Sequence, residues 1–101
     1  MEHFNRLTPA EAERLAYLAE EMGEALQAIG KVLRHGYDSH NPDQPHAGDS
    51  RVQLTKELVD VVGAIARMAC EGDIPAETLS KADPNKGARY MHHQSGKLHT
   101  P

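Results

Sequence analysis

The sequence predicts an all-α fold built on two long antiparallel helices, with short helices after them. Three observations predict it. Two segments carry apolar residues at helical spacing, each opens on a capping signature, and no run alternates apolar and polar residues as a strand would.

The first helix begins at Thr8-Pro9-Ala10-Glu11, a capping box with proline at the first helical position. Leu15, Leu18, Met22, Leu26, Ile29 and Leu33 follow at helical intervals, and Gly36 supplies a stop, so the helix is expected from about Pro9 to about His35. Residues 36–49 hold two prolines, two glycines and several Asp, Asn and Ser residues, which makes them an irregular connection. That connection is long for two packed helices and is expected to be functional or mobile, for instance as a lid that helps select a base.

The second helix is expected to open at Ser50-Arg51-Val52-Gln53 and to end at Gly72-Asp73. Its main stripe is Leu54, Leu58, Val61, Val62, Ile65, Met68 and Ala69. Short helices are expected over residues 75–82 and 84–93. Residues 1–94 then form one domain, and residues 95–101 a disordered tail.

Each long helix also has a second face. On the first it is made of Ala12, Ala16, Ala19, Gly23 and Gly30, and on the second of Val52, Val59, Ala66 and Cys70. Two helices and a short C-terminal segment cannot cover all of these faces. A four-helix-bundle core completed by homo-oligomerisation, as a dimer or a dimer of dimers, would cover them.

Composition narrows the function. The chain has 101 residues, only 4% of them aromatic, and a formal net charge of −4. No run of Lys and Arg stands out, which argues against nucleic acid as a partner. No apolar stretch is long enough for a membrane span, and no signal peptide is evident at the start. Cys70 is the single cysteine, is expected in the core, and fits a reducing, cytoplasmic setting.

Four carboxylates carry the chemistry. Glu21 and Glu24 lie at i, i+3 on the first helix, and Glu57 and Asp60 at i, i+3 on the second. Each pair borders an apolar stripe, so packing the stripes together would bring both pairs to one edge of the seam. Four close carboxylates repel one another, and a divalent cation resolves the conflict. All-oxygen ligands suit Mg²⁺, with Mn²⁺ as a substitute, and neither pair has the histidine at i+3 that di-iron bundles add. Glutamates are also common on solvated helix faces, and the spacing alone leaves both readings open.

The same residues carry a resemblance. Glu20-Glu21-x-x-Glu24 followed by Glu57-x-x-Asp60 resembles the double motif of the all-α NTP pyrophosphatase superfamily, and most closely its short MazG-like, phage-type members. The resemblance spans about Leu15 to Tyr90, and residues 36–49 lengthen the usual interval between the motifs. It implies a Mg²⁺-dependent enzyme that hydrolyses a nucleoside triphosphate to the monophosphate and pyrophosphate. By position it makes Glu21, Glu24, Glu57 and Asp60 the metal ligands and adds Glu20 as a catalytic residue that orients or deprotonates water. It makes Lys31, Asn85, Lys86, Arg89 and Tyr90 substrate-binding residues. A dUTPase-like or phosphoribosyl-ATP pyrophosphatase-like substrate is a variant of this reading. The competing reading is a non-enzymatic helical interaction protein whose carboxylates serve solubility.

Two further features have plain and functional readings. His35, His40 and His46 accompany Asp38, Asp43 and Asp49, but their spacing matches no compact zinc motif and fits a polar connection. Tyr17 is expected to be a half-buried packing residue, or else a platform for a base.

Overall fold

A computed structural model describes residues 4–94. Helix α1 spans Pro9–His35, α2 Ser50–Cys70 and α3 Ala76–Leu79, and a single 3₁₀ turn covers Ala88–Tyr90. Among the described residues there is no strand, and no helix is long and apolar enough to cross a membrane.

The start of α1 is fixed as the sequence requires. The Thr8 side chain accepts the Glu11 N–H, and the Glu11 carboxylate accepts the Thr8 N–H at 2.8 Å. Gly36, at φ 84°, ends the helix. Helix α2 is capped one residue earlier than expected. The Asp49 side chain, not that of Ser50, accepts the Val52 N–H at 3.0 Å. Its far end closes in a Schellman motif: the Gly72 N–H donates to Ala69 O and the Asp73 N–H to Met68 O, with Gly72 at φ 84°.

That motif aims Asp73 back at the start of α1. Arg14 donates Nε and Nη2 to the two Asp73 carboxylate oxygens at 2.6 and 2.9 Å. The planar fork locks one end of the helix pair. The other end is held by the connection. Ser39 O accepts the Ser50 N–H, Tyr37 O accepts the Arg51 N–H, and Gln53 Nε2 donates to Ala47 O. Arg51 also pairs with Asp38 and lies over the Tyr37 ring. Tyr37, Asp38, Ser39 and Ala47 of the connection are therefore tied to α2, while residues 40–46 are exposed.

The helices pack antiparallel, but along a different face of α1 from the one its large residues mark. The seam runs through Arg14, Leu18, Glu21, Ala25, Ala28 and Val32, spaced alternately by four and three. On α2 the matching line is Glu57, Val61, Ala64 and Met68. Ala25, Ala28, Ala64, Met68 and Glu21 are the buried residues. The expected α1 stripe is displaced by one position, about 100° around the helix. Met22, Leu26 and Leu33 on it are 54%, 67% and 82% exposed. The small-residue face through Ala12, Ala16, Ala19 and Gly23 is also exposed, and so is Cys70. Short alanine side chains let two helix backbones come close, which long leucines on the neighbouring stripe would prevent.

The C-terminal segment is less helical than expected. Helix α3 is one turn, with no side-chain cap, and packs on α2. Over 84–93 no α-helix forms, and the 3₁₀ turn Ala88–Tyr90 is the one helical element there. Asp83 Oδ1 takes the Asn85 N–H at 2.9 Å in an Asx turn, and Gly87 sits at φ 87°, so the backbone is committed to turns before a helix can start. The expected tail at 95–101 lies outside the described residues.

The Arg14–Asp73 clasp gives a stability prediction. The Arg14 guanidinium holds the Asp73 carboxyl below its ordinary 3.8. The clasp therefore contributes fully above that value, and its contribution is lost as pH falls through the lower folded value. Acid unfolding followed by circular dichroism is expected to lose this part of its pH dependence in Asp73→Asn. An identical acid transition in the variant would show that the clasp contributes nothing. At the other end, Gly48 has φ 83° and an added Cβ would lie 2.8 Å from Val52 Cγ1. Gly48→Ala is expected to cost about 1–3 kcal/mol in chemical denaturation.

Candidate metal centre

The seam brings carboxylates from both helices to one place. One ligand oxygen each from Glu21, Glu57 and Asp60 lies within 4.8 Å of the others. Glu21 is buried, Glu57 half-buried and Asp60 exposed, so the group runs from the seam outward to solvent. Glu21 and Glu57 occupy seam positions, not merely the edge of a stripe, and that draws them under neighbouring side chains. Oε2 of Glu21 and Oε2 of Glu57 are buried and accept no hydrogen bond. An ionised oxygen in that situation costs free energy unless a cation or donor meets it.

The electrostatics agree. Burial first, and then the charges of Glu24, Asp60, Glu20 and Glu57, push Glu21 above its ordinary 4.5. Glu20 and Glu24 thus lie within electrostatic range, both on the exposed side of α1, but the close group has three members and Glu24 is not one of them. Tyr17 also faces the site. The charge of Glu21, then burial, then the charge of Asp60 push its phenol above the ordinary 10.0. Tyr17 and Glu21 are an i, i+4 pair, and Tyr17 is 49% exposed rather than the half-buried packing residue the sequence suggested.

The donor set fits a hard divalent cation. It offers only carboxylate oxygens, two of them unpartnered, and an open side toward solvent where water or a substrate oxygen can complete the shell. Nothing in the donor set separates Mg²⁺ from Mn²⁺.

The other sequence-derived residues lie elsewhere. Lys31 is exposed, two helical turns beyond Glu24, and lines a cavity against residues 36–49. Asn85 is half-buried and Lys86 exposed in the turn after α3. Arg89 donates to the Tyr90 hydroxyl at 2.7 Å and lies over its ring, and the Ala88–Tyr90 turn packs on none of the helices. The described structure does not bring Arg89 and Tyr90 to the carboxylates. No three His or Asp side chains of the 36–49 connection gather at metal-ligand spacing among the described residues.

Comparison with known proteins returns no matching family model, no matching curated protein and no matching solved structure.

The unpartnered oxygens give two linked expectations. In metal-free protein at neutral pH, Glu21→Gln is expected to raise the melting temperature. A carboxyl held above 4.5 in the fold destabilises it increasingly as pH rises past that value, and the amide does not ionise. With wild-type protein, Mg²⁺ at about 100 times its Kd is expected to add about 2.7 kcal/mol of stability, an increment absent from Glu57→Gln. A variant melting below wild type without metal, or no Mg²⁺ effect on wild type, would oppose a cation site here.

Proposed function

We propose that the chain is a Mg²⁺-dependent nucleoside triphosphate pyrophosphohydrolase that cuts between the α- and β-phosphates and releases pyrophosphate. One observation carries the proposal: Glu21 and Glu57, from two helices, each bury an unpartnered carboxylate oxygen, and each places an oxygen within 4.8 Å of one from solvent-facing Asp60. A carboxylate group of this kind, in an acidic chain, handles a polyanionic substrate only through a divalent ion, and phosphates are the usual partners of Mg²⁺. When bound, that ion neutralises phosphate oxygens and lowers the pKa of water. The double acidic motif, with Glu20 beside Glu21, supports the same reading through its resemblance to the MazG-like pyrophosphatases.

The residues divide the work by position. Glu21 and Glu57 anchor the cation from the seam, Asp60 closes the site on the solvent side, and Glu24 adds negative charge at its edge. Glu20, exposed one residue from Glu21, orients or deprotonates the attacking water. Phosphoryl chemistry asks for placement and charge neutralisation more than for a covalent nucleophile, so the absence of an activated Ser or Cys among these residues is no obstacle.

The working form in this proposal is a homo-oligomer with a four-helix-bundle core. A helix pair whose buried apolar residues are three alanines and one methionine is a thin core for an independent domain. Leu26 and Leu33 on α1, and Val59 and Val62 on α2, remain exposed at 63% or more. A second copy covers such faces by pairing like with like.

Pyrophosphate release from a panel of nucleoside and deoxynucleoside triphosphates with Mg²⁺ tests the activity. Asp60→Asn and Glu57→Gln are each expected to lower turnover about 100-fold or more, beyond what losing an outer-shell partner costs. Unchanged turnover in both variants would remove the carboxylates from the reaction. Sedimentation velocity tests the assembly: the wild type is expected to run as a dimer or tetramer at micromolar concentration, and Leu26→Glu to shift it toward monomer.

A further inference from the structure

A second feature lies further along the same helix pair, toward its 36–49 connection. The end of α1, the 36–49 connection and the first turn of α2 enclose a cavity of about 450 Å³, within the usual range for small-molecule sites. Its charged lining is Lys31 and Arg34, with Asp49, and the His35 and His40 imidazoles stand beside them. Lys31, Arg34 and His35 come from the last turns of α1, and His40 from the connection. Among the described residues neither Lys31 nor Arg34 has a carboxylate partner; the ion pairs formed are Arg14–Asp73, Arg51–Asp38 and Arg67–Glu71. Asp49 also borders the cavity, but its carboxylate already accepts the Val52 N–H. The walls are held by the backbone and Gln53 contacts that tie the connection to α2, so the cavity is preformed.

No large aliphatic side chain lines it, and its only aromatic rings are the His35 and His40 imidazoles. Amide and hydroxyl groups from Ser39, Asn41, Gln44 and Gln53 add hydrogen-bonding capacity beside the cations. These are the features of a phosphate site. Gln53 in the cavity and Glu57 in the carboxylate group are an i, i+4 pair, about 6 Å apart along the axis.

We propose that this cavity receives the distal phosphates of the triphosphate, the part that leaves as pyrophosphate, while the carboxylate group holds the cation beside the scissile bond. The assignment rests on the pyrophosphohydrolase reading and deepens it. Arg34 and His40 become specificity-determining residues that count phosphates.

Two calorimetric titrations of the full chain separate this inference from that reading. Inorganic tripolyphosphate is titrated in the presence of Mg²⁺, and Mg²⁺ is titrated alone. Wild type is expected to bind tripolyphosphate, and Arg34→Gln and His40→Gln each to weaken that binding tenfold or more, with Mg²⁺ affinity and far-ultraviolet circular dichroism unchanged. Tripolyphosphate that fails to bind, or binds both variants as tightly as wild type, overturns the cavity assignment whatever the Mg²⁺ result. Failure of the Mg²⁺ titration alone overturns the carboxylate site, while tripolyphosphate binding that depends on Arg34 would still support the cavity.

Discussion

Burial of carboxylate oxygens in the seam between α1 and α2 is the constraint on which the rest of the structure depends. Glu21 and Glu57 take positions where a helix pair ordinarily places apolar residues, and each keeps a buried oxygen without a donor. Lost hydration, and then the charges of the neighbouring carboxylates, act against ionisation of Glu21. The alanines beside them make the arrangement possible: Ala25, Ala28 and Ala64 bring the helix backbones close enough for carboxylates of opposite helices to share one small volume. The helix pair therefore gives up stability at the place where it gathers charge, a trade expected of functional sites more than of packing cores.

Such a group works only if the helices keep one register. A slip of one turn, about 5.4 Å, would carry Asp60 and Glu57 away from Glu21. Two devices at opposite ends prevent it. The Arg14–Asp73 fork, set by the Schellman motif at Gly72, fixes one end. The Ser39, Tyr37 and Ala47 carbonyls, joined to the first turn of α2, fix the other. Neither device lies within the carboxylate group, yet both determine which acidic residues meet. The core between them is too small to enforce register by shape alone, since Met68 is its one large buried apolar side chain.

Much of this was legible in the sequence. Caps and stops depend on local chemistry, and the capping box at Thr8, the glycine at 36 and the Gly72-Asp73 ending all appear as expected, with the second cap displaced from Ser50 to Asp49. The pairing of acidic residues across two helices was legible too, because i, i+3 spacing survives any choice of face, although Glu24 stays outside the close group. The packing face of α1 was not legible. Two stripes, offset by one residue, compete on that helix. Hydrophobicity favours the one with Leu26 and Leu33, whereas closeness of approach favours the one with Ala25 and Ala28. Periodicity alone does not rank them. The 84–93 helix failed for a related reason: Asp83 and Gly87 offer the backbone turn conformations that compete with a helical pattern too short to prevail.

The face that sequence periodicity marked still needs an explanation, since a row of exposed Met22, Leu26 and Leu33 is costly to leave in water. The α1–α2 seam already holds the carboxylates and leaves little room for large side chains. The large apolar residues of α1 stand about 100° around the helix from that seam. This separation explains why the large residues and the acidic residues occupy adjacent stripes one position apart. In the proposed homo-oligomer it would let assembly supply stability through one face without crowding the carboxylate group. Under that proposed division of labour, association between chains would offset the free energy that the buried carboxylate oxygens cost.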